Sequence, residues 1–415
     1  MKCVVLIFLT LICIHVSSAW CTAYDIEKSP DGGYIIAGAV GKNYLDSHAW
    51  LIKTDQTGNV EWSKMYEGKC RSQAWSVAVL NDGYVFGGIT GCYNDDAWIV
   101  KVGKDGEVEW GKVIGYGGYG DSATTVTSSY GGFVAALTIS PCTTNCTNED
   151  VWVIKFKPDG TKVWERKIDF RDYDSIKKLI RTSDGGYIGV GASGYRTNSS
   201  YRNLDIWVLK LSKNGDVEWS KFYNYSFLDV AWDVAERENT LLIVGEVWTG
   251  DLLRGAKEKQ ADVYALLLEL DKNGNLIRHR KISCAPICAG WAVTDEGFIG
   301  VGADNRTYVW IYNTTDSTIR KIKYNIRVLP LIFGPLRSLE EGDGFILLGN
   351  SENSAWLAKY DENGHLLWER TLSSDALPVD GGGSSNSWNF YDGVYEVVLA
   401  LIFSLLAMLL FIKKL

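Results

Sequence analysis

Asp31-Gly-Gly-Tyr-Ile-Ile-Ala-Gly38, Ala49-Trp-Leu-Ile-Lys53 and Gly58-Asn-Val-Glu-Trp62 make up one unit: a glycine turn with its strand, an aromatic strand ending in lysine, and a second turn leading to Glu-Trp. The unit recurs. Asp82-Gly-Tyr84, Ala97-Trp-Ile-Val-Lys101 and Gly106-Glu-Val-Glu-Trp110 form the second copy, and Gly131-Gly-Phe133, Val151-Trp-Val-Ile-Lys155 and Gly160-Thr-Lys-Val-Trp164 the third. The fourth is as clear, with Asp184-Gly-Gly-Tyr187, Ile206-Trp-Val-Leu-Lys210 and Gly215-Asp-Val-Glu-Trp219. The fifth keeps Leu241-Leu-Ile-Val-Gly245, Val263-Tyr264 and Lys272-Asn-Gly274; the sixth keeps Glu296-Gly-Phe298 and Val309-Trp-Ile-Tyr312, its last turn rewritten around Asn313. The seventh restores the pattern with Asp343-Gly-Phe345, Ala355-Trp-Leu-Ala-Lys359 and Gly364-His-Leu-Leu-Trp368.

Each copy holds short runs rich in Val, Ile, Tyr and Trp, bounded by Asp-Gly or Asn-Gly turns and without a helical period. The run before each glycine turn, such as Ala74-Trp-Ser-Val-Ala-Val79, adds a further strand and makes four per copy. Four-stranded units repeated at roughly 45 to 57 residues are the signature of propeller blades. The fold class expected is therefore all-β, a seven-bladed β-propeller over residues 20–372, with the recurrent Trp and Tyr packed between neighbouring blades.

At these residues a family resemblance emerges. Trp62-Ser-Lys-Met-Tyr66 leading to Asp82-Gly-Tyr84, and Trp219-Ser-Lys-Phe-Tyr223, resemble the repeats of secreted prokaryotic β-propellers related to the pyrroloquinoline-quinone-type repeat. The resemblance covers residues 20 to about 372 and implies a fold rather than an activity. The pocket residues of cofactor-binding members have no match here, so no cofactor and no catalytic residue are carried over.

The termini predict export and anchoring. Lys2, the apolar run Val4 to Ile14 and the small residues Ser17, Ser18 and Ala19 read as a signal peptide over 1–19. Val394 to Ile412 reads as a transmembrane helix, followed by a cytoplasmic tail, 413–415, whose two lysines mark the inner side. The intervening 373–393, with Gly381-Gly-Gly-Ser-Ser385, reads as a flexible stalk. The expected location is thus a single-pass cell membrane with the propeller outside.

Between Trp20 and Ile412 lie 39 of the 42 Lys and Arg residues and all 50 Asp and Glu, a balance of −11. Nucleic acid is disfavoured as a partner, because its binding needs a basic face that displaces counterions. Sequons at Asn145, Asn198, Asn224, Asn305 and Asn313 are candidate glycosylation sites. Of nine cysteines, Cys3 and Cys13 fall in the signal peptide, and the odd number left over suits an oxidising compartment with at least one unmatched thiol. Cys142 with Cys146, and Cys284 with Cys288, read as small loop disulfides; Cys70 and Cys92 are further candidates.

Strand order assigns the connections to two faces. One carries short turns; the other carries the second-to-third-strand loops and the links between units, and it holds every mature cysteine and four of the five sequons. Ser193 to Asp205 and Glu246 to Asp262 are expected to be long loops there, and variable loops on a rigid scaffold are where binding resides. Tyr195, Tyr201, Arg202, Trp248 and Arg254 are the candidate contacts for a protein or glycan ligand. Asp96, Asp150, Asp205 and Asp262, each two residues before a third-strand aromatic, could form a cation-collecting ring or satisfy the same backbone amides in successive blades. No metal site is expected. The mature histidines are His48, assigned to a loop, His279 and His365, and no hydrolase, phosphate-loop or metalloprotease motif is present. The functions open are, in order, a surface binding or adhesion module, an envelope scaffold component, and a carbohydrate-active or quinone-dependent enzyme.

Overall fold

The computed structural model describes residues 20–373 apart from 93, 116–119, 141–147, 197–201, 250–261, 284–286, 294–296, 305, 314–318, 324–336, 343, 351–353 and 362–364. The chain divides into two compact units, Met1–Leu377 and Pro378–Leu415, and all the described residues belong to the first. The expected signal peptide, the stalk beyond Ser373, the membrane helix and the tail lie outside the described residues.

Among the described residues the secondary structure is strand, laid down as consecutive antiparallel meanders of four strands each. They comprise β1–β4 (Trp20–Lys28, Tyr34–Gly41, Ser47–Thr54, Val60–Tyr66), β5–β8 (Arg71–Leu80, Gly83–Gly91, Asp95–Gly103, Val108–Ile114) and β9–β12 (Ser122–Ser129, Gly132–Ile139, Asp150–Phe156, Lys162–Ile168). Next come β13–β16 (Tyr173–Arg181, Tyr187–Arg196, Arg202–Leu211, Val217–Tyr223) and β17–β20 (Leu228–Glu236, Thr240–Thr249, Asp262–Asp271, Leu276–Ile282). Last are β21–β24 (Ile287–Val293, Gly297–Asp304, Arg306–Asn313, Ile319–Lys323) and β25–β28 (Arg337–Glu341, Gly344–Asn350, Ala355–Asp361, Leu366–Leu372). Strands β13 to β24 share one hydrogen-bonded sheet only because single parallel bridges, Leu204 with Leu228 and Val263 with Ile287, stitch one meander to the next.

The repeat motif explains the packing. Each core cluster is shared by two successive meanders, as where Phe86, Trp98 and Ala74 meet Ile35 and Leu51. The Trp of an outer strand lies on the glycine of the next meander's outer turn: Trp62 on Gly106, Trp110 on Gly160, Trp164 on Gly215 and Trp219 on Gly274. These glycines sit at φ of 75–83°, a left-handed conformation that the turn requires. The same Trp residues contact the aromatic after the inner turn, as in Trp62 with Tyr84 and Trp164 with Tyr187, so the expected aromatic packing between blades is found. The motif lysine is buried and held by the turn aspartate and the Glu of Glu-Trp. Lys53 lies 2.8 Å from both Asp31 and Glu61, and Lys101 and Lys210 repeat the arrangement with Asp82 and Glu109, and with Asp184 and Glu218. Burial works against the charge on Lys53, but the two carboxylates outweigh it and hold its pKa above the ordinary lysine value.

The last meander packs on the first. Ile346, Leu348 and Leu357 share a core with Ile26, Tyr34 and Trp50. Trp368 lies on Gly58, and the Asn350 side chain donates to Ala23 O and accepts from Ala23 N, both at 2.8 Å. Radial four-stranded sheets whose last member closes on the first constitute a β-propeller.

Two expectations are corrected. Strand reaches into both expected loops: β14 and β15 pair out to Arg196 with Arg202, leaving 197–201 outside the described residues, and β18 and β19 pair out to Thr249 with Asp262, leaving 250–261 outside them, because continued pairing satisfies backbone groups that a loop would leave to solvent. His48 likewise belongs to β3, paired with Val40. Of the disulfide candidates, Cys70 and Cys92 are bonded, tying the link before β5 to the end of β6 across 22 residues. Cys142, Cys146 and Cys284 lie outside the described residues, and Cys288 falls in β21.

Candidate functional site

The inner strands do not pair regularly. An extra residue interrupts the ladder in β1, β5, β9, β13, β17 and β21, and the residues in these bulges are Tyr24, Trp75, Thr124, Lys177, Trp232 and Trp291. A bulge re-aims the side chains beside it, and here the residue that follows is turned into the axis. Asp25 Oδ2 accepts from Ser76 Oγ at 2.8 Å and from Val77 N at 3.1 Å, while Ser76 Oγ accepts from Val126 N. Lys178, from the meander across the ring, reaches Asp25 at 3.4 Å, and Arg337 of the last meander reaches the same carboxylate at 3.6 Å. Asp233 Oδ2 accepts from Val293 N at 3.1 Å. Every meander therefore contributes an atom to one polar network, which plugs the axis at this depth.

Two cations in the plug face three carboxyl groups, the third being Glu27. Burial, reinforced by Asp25 and Asp233, pushes Glu27 up to about 7 against the pull of Lys178. Burial also raises Asp233, although Lys178 and Arg337 oppose it. For Lys178 burial is overcome by Asp25, Glu27 and Asp233, which keep it protonated above the ordinary lysine range. A buried network of this kind contributes little net stability while intact, but losing one partner leaves an uncompensated charge and costs about 3–5 kcal/mol.

Around the plug, on the side of the long connections, stand the bulge aromatics. Tyr24, Trp75 and Trp232 are each half-buried. The buried amide of Gln73 orients two of them: its Oε1 accepts from Trp75 Nε1 at 2.9 Å and from Tyr24 OH at 3.3 Å, while its Nε2 donates to Ser47 Oγ. Further out, Arg71 lies over the Tyr44 ring and pairs with Asp95. On the opposite side of the axis Lys177 lies 5.9 Å from the Trp232 ring. Behind Trp232 is Glu246, 5% exposed, with the indoles of Trp248 and Trp232 beside it; burial outweighs their favourable effect on the charged form and pushes its carboxyl up to about 7.

Of the five expected contacts, Tyr195 and Trp248 are described in full. Tyr195 is exposed at the end of β14 with the Arg171 guanidinium 5.0 Å from its ring, and Trp248 is half-buried beside Glu246. Arg202 opens β15, whereas Tyr201 and Arg254 lie outside the described residues. Three of the four series aspartates are engaged by side chains rather than by the expected backbone amides, and the Asp262 side chain lies outside the description. Asp205 accepts from Arg171 at 2.5 Å and Asn224 at 2.6 Å, Asp150 from Asn148, and Asp96 pairs with Lys69. Asp174 and Asp229 do related work, each collecting two amides of the link that precedes its strand. Among the sequons, Asn224 is exposed, Asn313 ends β23, and Asn145, Asn198 and Asn305 lie outside the described residues.

Sequence reasoning missed Tyr24, Gln73, Trp75, Lys177, Trp232 and Glu246. The signal available was positional: Tyr24, Trp75, Lys177 and Trp232 fall at the same place in successive copies, just before Asp25, Ser76, Lys178 and Asp233. Among the described residues the turn face carries a cleft of about 260 Å³ between the first two meanders, where Lys53, Trp62, Tyr84 and Lys104 form part of the wall. Lys53 there is already held by two carboxylates.

No protein-family model and no curated protein matches the sequence. Solved structures match the fold. A chain of the Kuenenia stuttgartiensis hydrazine synthase superposes with a TM-score of 0.55 at 12% identity, covering 84% of this chain and 98% of that one. The Pseudomonas aeruginosa periplasmic gluconolactonase superposes with a TM-score of 0.48 at 9% identity, covering 86% and 97%. The β-propeller domain of Myceliophteria thermophila Cps50 (Swd1) gives 0.44 at 10%, covering 85% and 98%. At such identities the likeness is one of architecture.

Proposed function

We propose that this chain is a seven-bladed propeller, exported by residues 1–19 and held in the membrane by 394–412, whose loop-bearing face binds an extracellular protein or glycan around the mouth of the axis. The kinship with pyrroloquinoline-quinone-type repeats belongs to the same proposal, without the cofactor. One observation carries it. The outer-strand Trp residues are consumed by packing on glycines, but Trp75 and Trp232 occupy bulge positions where other meanders manage with Thr124 or Lys177. An aromatic there is not demanded by the repeat. Half-buried indoles and a phenol supply contact area at modest entropic cost, and Gln73 anchors the polar edges of Trp75 and Tyr24. Tyr195 and Trp248 extend the same face, and Tyr201, Arg202 and Arg254 remain candidate contacts of the same proposal.

The test is a glycan and protein array probed with the detergent-solubilised full chain. Trp75→Ala and Trp232→Ala should each weaken the strongest hit by about tenfold or more with little change in melting temperature. Tyr195→Ala and Trp248→Ala should weaken it less. Unchanged binding in all four variants would move the site off this face. A carbohydrate-active enzyme is the second reading, favoured by Glu246, because a carboxyl still protonated near neutral pH beside two indoles has the properties of a general acid. Product released from the array hit would decide for it.

A further inference from the structure

Lys53, Lys101 and Lys210 each sit in the same grip of turn aspartate and Glu-Trp glutamate, at the groove where one meander meets the next on the turn face. In two of these grooves the following meander adds a second lysine, two residues before its outer-turn glycine. Lys104 precedes Gly106 in the groove of Lys53, and Lys272 precedes Gly274 in the groove of Lys210. In the groove of Lys101 that place is taken by Pro158. The groove between the third and fourth meanders has Lys213 there, but Tyr130 and Val163 stand where the aspartate and glutamate would be.

The groove of Lys210 is bridged from within. Glu236, at the end of β17, accepts from Ser183 N at 2.6 Å, from Ser183 Oγ at 3.0 Å and from Lys272 Nζ at 2.7 Å, so one carboxylate spans the space. The groove of Lys53 lacks this bridge. Val79 stands in the place of Glu236, paired with Tyr84 as Glu236 is with Leu241, and Pro30 stands in the place of Ser183 with neither N–H nor hydroxyl. Among the described residues the Lys104 ammonium pairs with no carboxylate, and here the cleft of about 260 Å³ opens. Trp62 in its wall is half-buried, its indole N–H held by Lys104 O at 3.1 Å. The side chains of Asp31 and Glu61 are 56% and 48% exposed, with acceptor capacity left over beyond Lys53. Burial works against the charge on Asp31, but the bonds from Lys53 and Gly33 N outweigh it and hold its carboxyl below the ordinary range, so it accepts protons from neighbours rather than donating one.

We propose that this cleft binds one acidic sugar ring, a uronic acid, whose carboxylate pairs with Lys104 as Glu236 pairs with Lys272, while its hydroxyls donate to Asp31 and Glu61. The site is on the turn face, apart from the axial mouth and independent of the binding proposed there. The charge balance matches that of the bridged groove, since the sugar carboxylate supplies the one anion that Glu236 supplies there. The Trp62 ring offers the apolar surface that the C–H face of a sugar covers. An acidic peptide side chain would satisfy Lys104 but brings no hydroxyls to the two acceptors, and a neutral sugar would leave Lys104 unmatched. The volume lies just under the roughly 300–1,000 Å³ of sites for drug-sized ligands, which limits the ligand to a single ring.

The probe is methyl glucuronide, titrated by saturation-transfer NMR into the detergent-solubilised full chain, with methyl glucoside and acetate alongside. Glucuronide should bind with a Kd of about 1 mM, and glucoside about tenfold more weakly for want of the ion pair. Acetate at equal concentration should not displace it. Lys104→Gln should weaken glucuronide about tenfold, whereas Lys213→Gln, at the corresponding place in the groove without the two acids, should leave it unchanged. Val79→Glu, which imports the internal carboxylate, should weaken it as well, with melting temperatures as the folding control. If that variant does not fold, the contrast between Lys104→Gln and Lys213→Gln decides alone. No transfer to glucuronide at about 10 mM, equal affinity for glucuronide and glucoside, full displacement by acetate, or equal effects of the two lysine variants would each overturn the site.

Discussion

Glycine at a turn and tryptophan one meander earlier are the pair on which the ring is built, and their dependence on each other can be separated from backbone conformation. Gly215 and Gly185 share the same φ of 83°, but a Cβ on Gly215 would stand 2.7 Å from the Trp164 ring whereas nothing lies within 4 Å of Gly185. Gly185→Ala should therefore cost only the left-handed penalty, about 1 kcal/mol. Gly215→Ala adds displacement of a packed indole, and the total should reach about 3 kcal/mol. Thermal melting of the two variants checks this. Equal shifts would mean that Trp164 moves aside freely and that the repeated contact is incidental.

At the scale of the element, both the inner-strand and the outer-strand ladders are bulged, and the second strand buries a carboxyl group near the bulge of the fifth inner strand. β17 and β18 together enclose Glu246, whose carboxyl is raised from 4.5 to about 7 by burial. The folded protein then binds a proton between about pH 5 and pH 7 that the unfolded chain releases, so stability declines as pH rises through that window and levels off above it. A shift of this size corresponds to about 3 kcal/mol at most. Glu246→Gln, neutral at all pH and of nearly the same size, should match wild type near pH 5 and melt several degrees higher at pH 8. Glu27 contributes a slope of the same sign, so the variant keeps part of the wild-type decline. Identical pH profiles in the two proteins would show Glu246 ionised in the fold.

The whole molecule depends on closure. A propeller left open exposes one apolar face on its first sheet and one on its last, and Asn350 clamps these together by its paired bonds to Ala23. Asn350→Leu keeps the volume and deprives a buried N–H and a buried C=O of their partner, which should cost about 3 kcal/mol. Because closure joins the ends of the chain, the loss should broaden the melting transition as well as lower its midpoint. A sharp transition at the wild-type temperature would place closure in the shared apolar core of Ile346, Leu348 and Trp50 alone.

The repeat and the four strands within each unit were legible from residues because turn chemistry and alternation are local: an Asp-Gly or Asn-Gly turn and a period of two specify a hairpin wherever it lies. The aromatic packing between units followed from the same repetition. The axial plug was not legible, since Lys178 and Asp25 are separated by 153 positions and meet only when the ring has closed. Nor was the reach of β14, β15, β18 and β19, because polar residues such as Arg196 and Arg202 pair as well in a ladder as they would solvate in a loop. For the candidate site the residues at the inner-strand positions were in view, but their meaning was not: a bulge sets where Trp75 and Trp232 stand, Trp232 packing against Ala192, Leu204 and Val230 while staying half-buried, and a bulge is decided by how the strand fits its neighbours around the axis.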